Sequence, residues 1–145
     1  LMHAIHGIAT TFSSRTGIAL EVRNRVQNLG LSDEQEIQVF HIVQEALANT
    51  AKHSMARHVV LGIDRTPRHL EFVIEDDGLG MAAPSVSTIV TMAQGMSGSS
   101  HFGLEIMRNR AHQLGADLEI GVNDGGGTRV RLSIPSSVLA AERFV

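Results

Sequence analysis

Apolar residues recur along this chain with two different periods, and the changes of period outline its elements. Met2, Ile5, Ile8, Ala9 and Phe12 fall mainly at steps of three and four, the repeat of one helix face, and predict a short amphipathic helix over residues 1–13. Between Gly17 and Val26 the pattern alternates: Ile18, Leu20, Val22 and Val26 are interleaved with Glu21, Arg23 and Arg25, as on a half-buried strand. The helical repeat resumes at Ser32. Ser32 and Gln35 have the spacing of a capping box, and the helix they open is predicted to run to about His53. Its expected inward stripe is Ile37, Phe40, Val43 or Gln44, Leu47 and Ala51.

Two alternating segments follow, 57–64 and 69–75, joined through Thr66-Pro67-Arg68, and they predict an antiparallel pair. From Met81 to Phe102 the chain is rich in Gly, Ser, Met and Thr with little periodicity; a loop of that length in a small domain is usually functional or disordered. A helix is predicted from Gly103, with Leu104, Met107, Ala111 and Leu114 on one face and Gly115 as its stop. Segments 117–122 and 128–134 alternate again around Asn123-Asp124-Gly125-Gly126-Gly127, a hairpin signal. This order predicts an α+β fold, a two-layer sandwich with a mixed, mostly antiparallel sheet and helices on one face.

Composition narrows the function classes. The 145 residues are 43% hydrophobic and 19% charged, with a net charge of −3. There is no cysteine, which excludes disulfides, thiolate zinc sites and a cysteine nucleophile. No basic stripe with interleaved aromatics marks a nucleic-acid partner, and no apolar run approaches the ~18 residues of a membrane span. His3 and His6 fall in the first predicted helix, and His41, His58, His69 and His112 show no metal-ligand spacing.

Four clusters carry candidate chemistry. Glu45, Asn49, Lys52 and His53 share one stripe of the long helix: a carboxylate, an amide oxygen and cations, suited to Mg²⁺ and phosphate, or simply to a solvated helix face. Glu75-Asp76-Asp77-Gly78-Leu79-Gly80-Met81 ends an apolar strand, where glycines let the backbone approach a flat ligand, or form a plain acidic turn. Ser100-His101-Phe102-Gly103-Leu104 stands at a predicted helix start, whose free N–H groups can cradle an anion. Gly126-Gly127-Thr128 enters the last strand. Lys52, the only lysine, has no glycine run before it, so a Walker A loop is excluded.

Taken in order, these clusters resemble the boxes of the ATP-binding domain of sensor histidine kinases, in the superfamily of DNA gyrase, the ninety-kilodalton heat-shock chaperone and the mismatch-repair ATPases. Glu45-Ala46-Leu47-Ala48-Asn49-Thr50-Ala51-Lys52-His53-Ser54 is similar to the N box, Asp77-Gly78-Leu79-Gly80-Met81 to G1, His101-Phe102-Gly103-Leu104-Glu105-Ile106-Met107-Arg108-Asn109-Arg110-Ala111 to G2, and Gly127-Thr128 with Ile134-Pro135 to the closing element. Ser100 stands where the family usually has a glycine before the G2 histidine. The wording of the boxes is nearest to nitrate/nitrite-sensor and lipid-fluidity-sensor kinases, and the resemblance covers roughly residues 15–135.

The resemblance implies ATP and Mg²⁺ as cofactors. Asn49 would hold Mg²⁺, Lys52 and His53 would face the phosphates, and Glu45 would stand where hydrolysing relatives keep a general base. Asp77 would read the adenine amino group, supported by Thr128, beside Gly78, Gly80 and Met81. His101, Phe102, Gly103 and Leu104 would lie at the phosphate tail. The implied organisation is an N-terminal helix (1–14) ending a linker from a dimerisation domain, an ATP-binding catalytic domain (15–138) and a tail (139–145). The implied partners are the dimerisation domain with its acceptor histidine and, through it, a response regulator. We expect a cytoplasmic, monomeric piece of a longer protein, compatible with an inner-membrane anchor elsewhere. An anti-sigma-factor-type serine kinase or a non-catalytic nucleotide sensor of the same fold is the alternative.

Overall fold

The computed structural model describes residues 1–53, 55–78, 98–122 and 126–139, with the side chains of His53 and of residues 98–102 outside that description. Helix α1 (Met2–Thr16) leads into strand β1 (Ala19–Asn24), then helix α2 (Asp33–His53) and strands β2 (His58–Arg65) and β3 (His69–Asp76). Helix α3 (Gly98–Leu114), strands β4 (Asp117–Val122) and β5 (Thr128–Pro135) and a short 3₁₀ turn (Ser136–Val138) complete the described elements. The sheet order is β1-β2-β3-β5-β4. Only the β1–β2 pair is parallel; the other three are antiparallel. This is the mixed, mostly antiparallel α+β sandwich that the pattern predicts.

Local chemistry explains the boundaries. The Ser32 N–H donates to Gln35 Oε1 (2.8 Å) and the Gln35 N–H to Ser32 Oγ (3.2 Å), so the capping box forms at the start of α2. Thr66 Oγ1 accepts from the N–H groups of Arg68 and His69, tying the turn between β2 and β3. Strand parity then divides the sheet. Leu70, Phe72 and Ile74 of β3, with Val130, Leu132 and Ile134 of β5, are buried toward the helices. Glu71 instead accepts from Arg131 and Ser133 on the other face. Each large side chain so buried contributes about 1.5–3 kcal/mol of transfer free energy.

Two expectations shift. The inward face of α2 is Val39, Ile42, Val43, Ala46, Leu47 and Thr50, while Ile37 is 55% exposed and Ala51 is exposed. The helix is flanked by α1 as well as seated on the sheet, so its apolar residues spread over more than one face, and period counting selected the face toward α1. The second shift is the start of α3, at Gly98 rather than Gly103. Its buried stripe of Gly103, Met107, Ala111 and Leu114 anchors the helix, which continues N-terminally through residues without apolar periodicity. Among the described residues no helix is long and apolar enough to cross a membrane.

Candidate functional site

Strand β3 alternates inward through Leu70, Phe72 and Ile74, and the next residue on that parity is Asp76. Its side chain is 3% exposed, at the point where the sheet's core runs out beneath α2. Asp76 Oδ1 accepts from the backbone N–H of Gly78 (3.0 Å) and of Thr128 (3.2 Å). The Thr50 hydroxyl donates to the Ala46 carbonyl (3.1 Å) and stands 3.5 Å from Asp76 Oδ2. Burial raises the Asp76 pKa above the usual carboxylate value, and the hydrogen bonds from Gly78, Thr128 and Thr50 offset only part of it. A desolvated carboxylate with unspent lone pairs on Oδ2 is an acceptor in search of a donor.

Gly127 makes this arrangement possible. Its φ is +94°, and a Cβ there would sit 1.9 Å from the Asp76 carbonyl oxygen, so β5 enters the sheet directly against the Asp76–Gly78 turn.

Asp77, the carboxylate expected to read a base, lies elsewhere. Its Oδ1 accepts from the N–H groups of Arg57 and His58 (2.9 Å each), and its Oδ2 meets His58 Nδ1 at 3.0 Å. Those bonds, led by the two backbone donors, lower its pKa to about 2. Asp77 therefore fastens the start of β2 to the end of β3, and the residue before it is the buried carboxylate. Thr128 correspondingly supports Asp76 through its backbone N–H, not Asp77.

On α2, Glu45 and Asn49 turn toward α3. An ideal Cβ at Gly103 would lie 3.1 Å from Glu45 Oε2 and 3.4 Å from Asn49 Oδ1, so two side-chain oxygens converge on the bare glycine. The helix pair is held two turns further on, where Arg110 Nη1 donates to Gln38 Oε1 (2.9 Å) and Gln38 Nε2 to Gln113 Oε1 (2.7 Å). Because α3 begins at Gly98, Gly103 and Leu104 stand in its second turn, where N–H groups belong to the helical ladder. They do not form the free-N–H cradle expected at a helix start. Gly103 acts instead by closeness to Glu45 and Asn49, and Leu104 packs at the edge of the core.

Lys52 is exposed at the border between the α3-facing stripe and a groove that α2 forms with α1. Gly80 and Met81 lie outside the described residues, as do the side chains of His53, His101 and Phe102. The expected loop over 81–102 is described only from Gly98, where it is helix. Sequence reasoning missed Asp76 and Thr50. Both carried a signal: Asp76 continues the inward parity of β3, and Thr50 continues the inward stripe of α2 from Val43 and Ala46 at steps of three and four. Among the described residues no cluster of His, Asp and Glu forms a metal cage.

A family model described as histidine kinase-, DNA gyrase B-, and HSP90-like ATPase matches residues 34–138. The nitrate/nitrite sensor protein NarQ of Escherichia coli is 29% identical over 139 residues, which cover 94% of this chain and 22% of that protein. The signal transduction histidine-protein kinase/phosphatase UhpB of Salmonella typhimurium is 36% identical over 119 residues, 82% of this chain and 21% of its own length. The chain thus spans about a fifth of the length of these relatives. Among solved structures, the histidine kinase domain of the blue-light activated kinase EL346 from Erythrobacter litoralis shares the fold with a TM-score of 0.70 at 23% identity, covering 93% of this chain and 62% of that one. The mycobacterial sensor histidine kinase MprB gives 0.67 at 21% identity, over 92% and 93% of the two chains.

Proposed function

Because the chain belongs to the histidine kinase-, DNA gyrase B- and HSP90-like ATPase family, we propose that it is the ATP-binding catalytic domain of a two-component sensor histidine kinase. In this reading it binds Mg·ATP and supplies the γ-phosphoryl group to a histidine on a separate dimerisation domain, for relay to a response regulator. The observation that carries the reading is Asp76, a buried carboxylate held by Gly78 and Thr128 with Oδ2 left to accept from an exocyclic amino group such as that of adenine.

The phosphate side follows along α2. Asn49 Oδ1 is a hard oxygen of the kind Mg²⁺ takes, with the remaining positions left to phosphate oxygens and water. Bound Mg²⁺ supplies charge neutralisation at the β- and γ-phosphates. Lys52 continues the same stripe toward the triphosphate, and His53 follows it in the sequence of the box. Glu45, whose Oε2 converges with Asn49 Oδ1, is the carboxylate placed to take the proton that an acceptor imidazole loses as its nitrogen bonds to the γ-phosphorus and the bond to the ADP oxygen breaks. Positioning and charge stabilisation are the main requirements of phosphoryl transfer, and a site of one buried acceptor, glycines and a few hard ligands meets them.

The test is calorimetric titration with a non-hydrolysable ATP analogue, with and without Mg²⁺, on the unaltered chain, Asp76→Asn and Asp77→Asn. Asn at 76 keeps an oxygen for the two backbone N–H groups but turns an NH₂ toward Thr50 and the base, so we expect at least about a hundredfold loss of affinity, roughly 2.7 kcal/mol. Asp77→Asn should bind as the parent does. The opposite pattern would return base recognition to Asp77, and absence of binding by the unaltered chain would end the nucleotide assignment.

A further inference from the structure

Helices α1 and α2 run side by side in the same direction. Leu1 at the start of one meets Glu36 near the start of the other, and beyond their far ends the Ala19 N–H donates to the Arg57 carbonyl. Between them lies a groove of about 770 Å³, on the flank of α2 away from α3 and from Asp76. Its lining includes the small residues Ala4, Gly7, Ala48 and Ala51, and a Cβ built at Gly7 would meet nothing within 4 Å. Ile8, Phe40 and Leu47 add apolar surface.

The α2 wall extends beyond the groove. Ile37, Phe40, Gln44, Ala48 and Ala51 follow at steps of three and four, and Ile37 at the near end is 55% exposed. From Ile37 to Ala51 this stripe is about 21 Å long, some four helical turns. An open trough of that length, floored by small residues, suits a helix laid along it better than a compact small molecule.

Charge says which helix. The described lining residues include two cations, Arg15 and Lys52, and no aspartate or glutamate, on a chain whose net charge is −3. Both cations lie near the C-terminal ends of α1 and α2, both are exposed, and neither makes an ion pair among the described residues. The C-terminal ends of two parallel helices also present their negative dipole ends to the same place, which favours the N-terminal end of an incoming helix. Acidic residues are themselves favoured in a helix's first turn.

We propose that this groove is the docking site for an amphipathic helix of a partner protein, lying antiparallel to α1 and α2, with its apolar face on the small-residue floor and first-turn carboxylates on Arg15 and Lys52. The partner's apolar face needs side chains large enough to fill the space above Gly7 and Ala48. The groove carries the inference; Lys52, at the border of the two regions, is shared with the phosphate stripe of the nucleotide reading, and Arg15 is the cation that belongs to the groove alone.

Two synthetic peptides of about 16 residues, identical in a leucine face and differing only in a first turn rich in Glu or in Lys, are titrated into ¹⁵N-labelled chain. The Glu peptide is expected to bind at least about tenfold tighter than the Lys peptide, with amide shift changes concentrated at Gly7, Thr11, Ala48 and Ala51. Arg15→Glu should lessen or reverse the preference, and Ala48→Trp, filling an open groove, should abolish binding while the thermal melt is kept. Equal affinity for the two peptides, shift changes elsewhere, or no binding of either would overturn the proposal. Two controls can also overturn it by giving the groove another occupant. Concentration-dependent dimerisation lost in Ala48→Trp would assign it to a second copy, and binding to phosphatidylglycerol vesicles lost in Ala48→Trp, without peptide binding, would assign it to a membrane.

Discussion

At the end of β3, Asp76 is held by backbone N–H groups from Gly78 and Thr128, and Gly127 lies against its carbonyl. Along α2, Glu45 and Asn49 turn polar side-chain atoms against the bare Gly103 of α3. The first region is part of the sheet: its donors are main-chain groups whose positions are set by the β3–β5 register, from His69 opposite Pro135 to Glu75 opposite Arg129. The second lies between two helices tied by long polar side chains, Gln38 to Arg110 and Gln113. Backbone donors lose no rotamer freedom when a ligand arrives, whereas long side chains do. In the proposed function, the half that recognises the base is preorganised and the half that handles phosphate and metal is adjustable. That division suits a kinase whose phosphoryl group must be handed to a second domain.

The sharpest way to break the comparison is Gly127→Ala. A methyl group 1.9 Å from the Asp76 carbonyl oxygen, at a φ of +94°, forces the backbone apart. We expect a loss of at least about 3 kcal/mol in stability, seen in a thermal melt, and loss of nucleotide binding with it. A parental melting temperature in this variant would show that the entry to β5 is not pinned.

Asn49→Ala probes the adjustable half. Its affinity for the ATP analogue should fall about tenfold or more with Mg²⁺, about 1.4 kcal/mol, and stay unchanged in EDTA, with the melt unaltered. An equal loss without Mg²⁺ would remove Asn49 from the metal.

Asp77→Ala should separate structure from recognition. The Asp77 pKa falls from 3.8 to about 2 on folding, so its contribution is present above pH 3.8 and is lost as pH falls from 3.8 toward 2. The side chain is 49% exposed, which screens the effect to about 1 kcal/mol. The variant should melt roughly 3–4 °C lower at pH 7, the gap should close between pH 4 and 2, and nucleotide affinity should change less than about threefold. Asp76 has the opposite sign. Its raised pKa means that ionisation opposes folding, so Asp76→Asn should melt no lower than the parent at pH 7. A large drop there would mean that the ionised carboxylate is needed by the fold.

Gly103→Ala should have only a small effect on stability. Alanine gains about 1 kcal/mol in helix propensity over glycine, offset by a Cβ 3.1 Å from the movable Glu45 carboxylate. The melt should stay within about 2 °C while Mg²⁺-dependent nucleotide affinity falls severalfold. A fall in stability without a change in affinity would make Gly103 a packing residue only.

The alternating and helical periods were sufficient for every described strand, for α2 with its capping box, and for the layer arrangement, because parity and capping are local properties of a few consecutive residues. The boundary of α3 was not legible. A helix continues past its last core-facing residue wherever backbone hydrogen bonds persist, and the residues before Gly103 show no periodicity. The choice between Asp76 and Asp77 was legible in principle. Leu70, Phe72, Ile74 and Asp76 share one parity, but matching the box from the Asp directly before glycine set that count aside.

What the chain determines alone is therefore its alternation, its caps and the kinds of residue available for binding: one buried-parity aspartate, a Glu–Asn stripe and glycines at the turns. Only the tertiary structure decides which of these meet. Gly127 abuts Asp76 across fifty residues, Gly103 opposes Glu45 and Asn49 across more than fifty, and α1 with α2 leaves a groove that neither helix predicts. The reason is physical: periodicity reports which way a side chain points from its own element, while proximity depends on how separate elements pack, and that is settled by burial summed over the whole core.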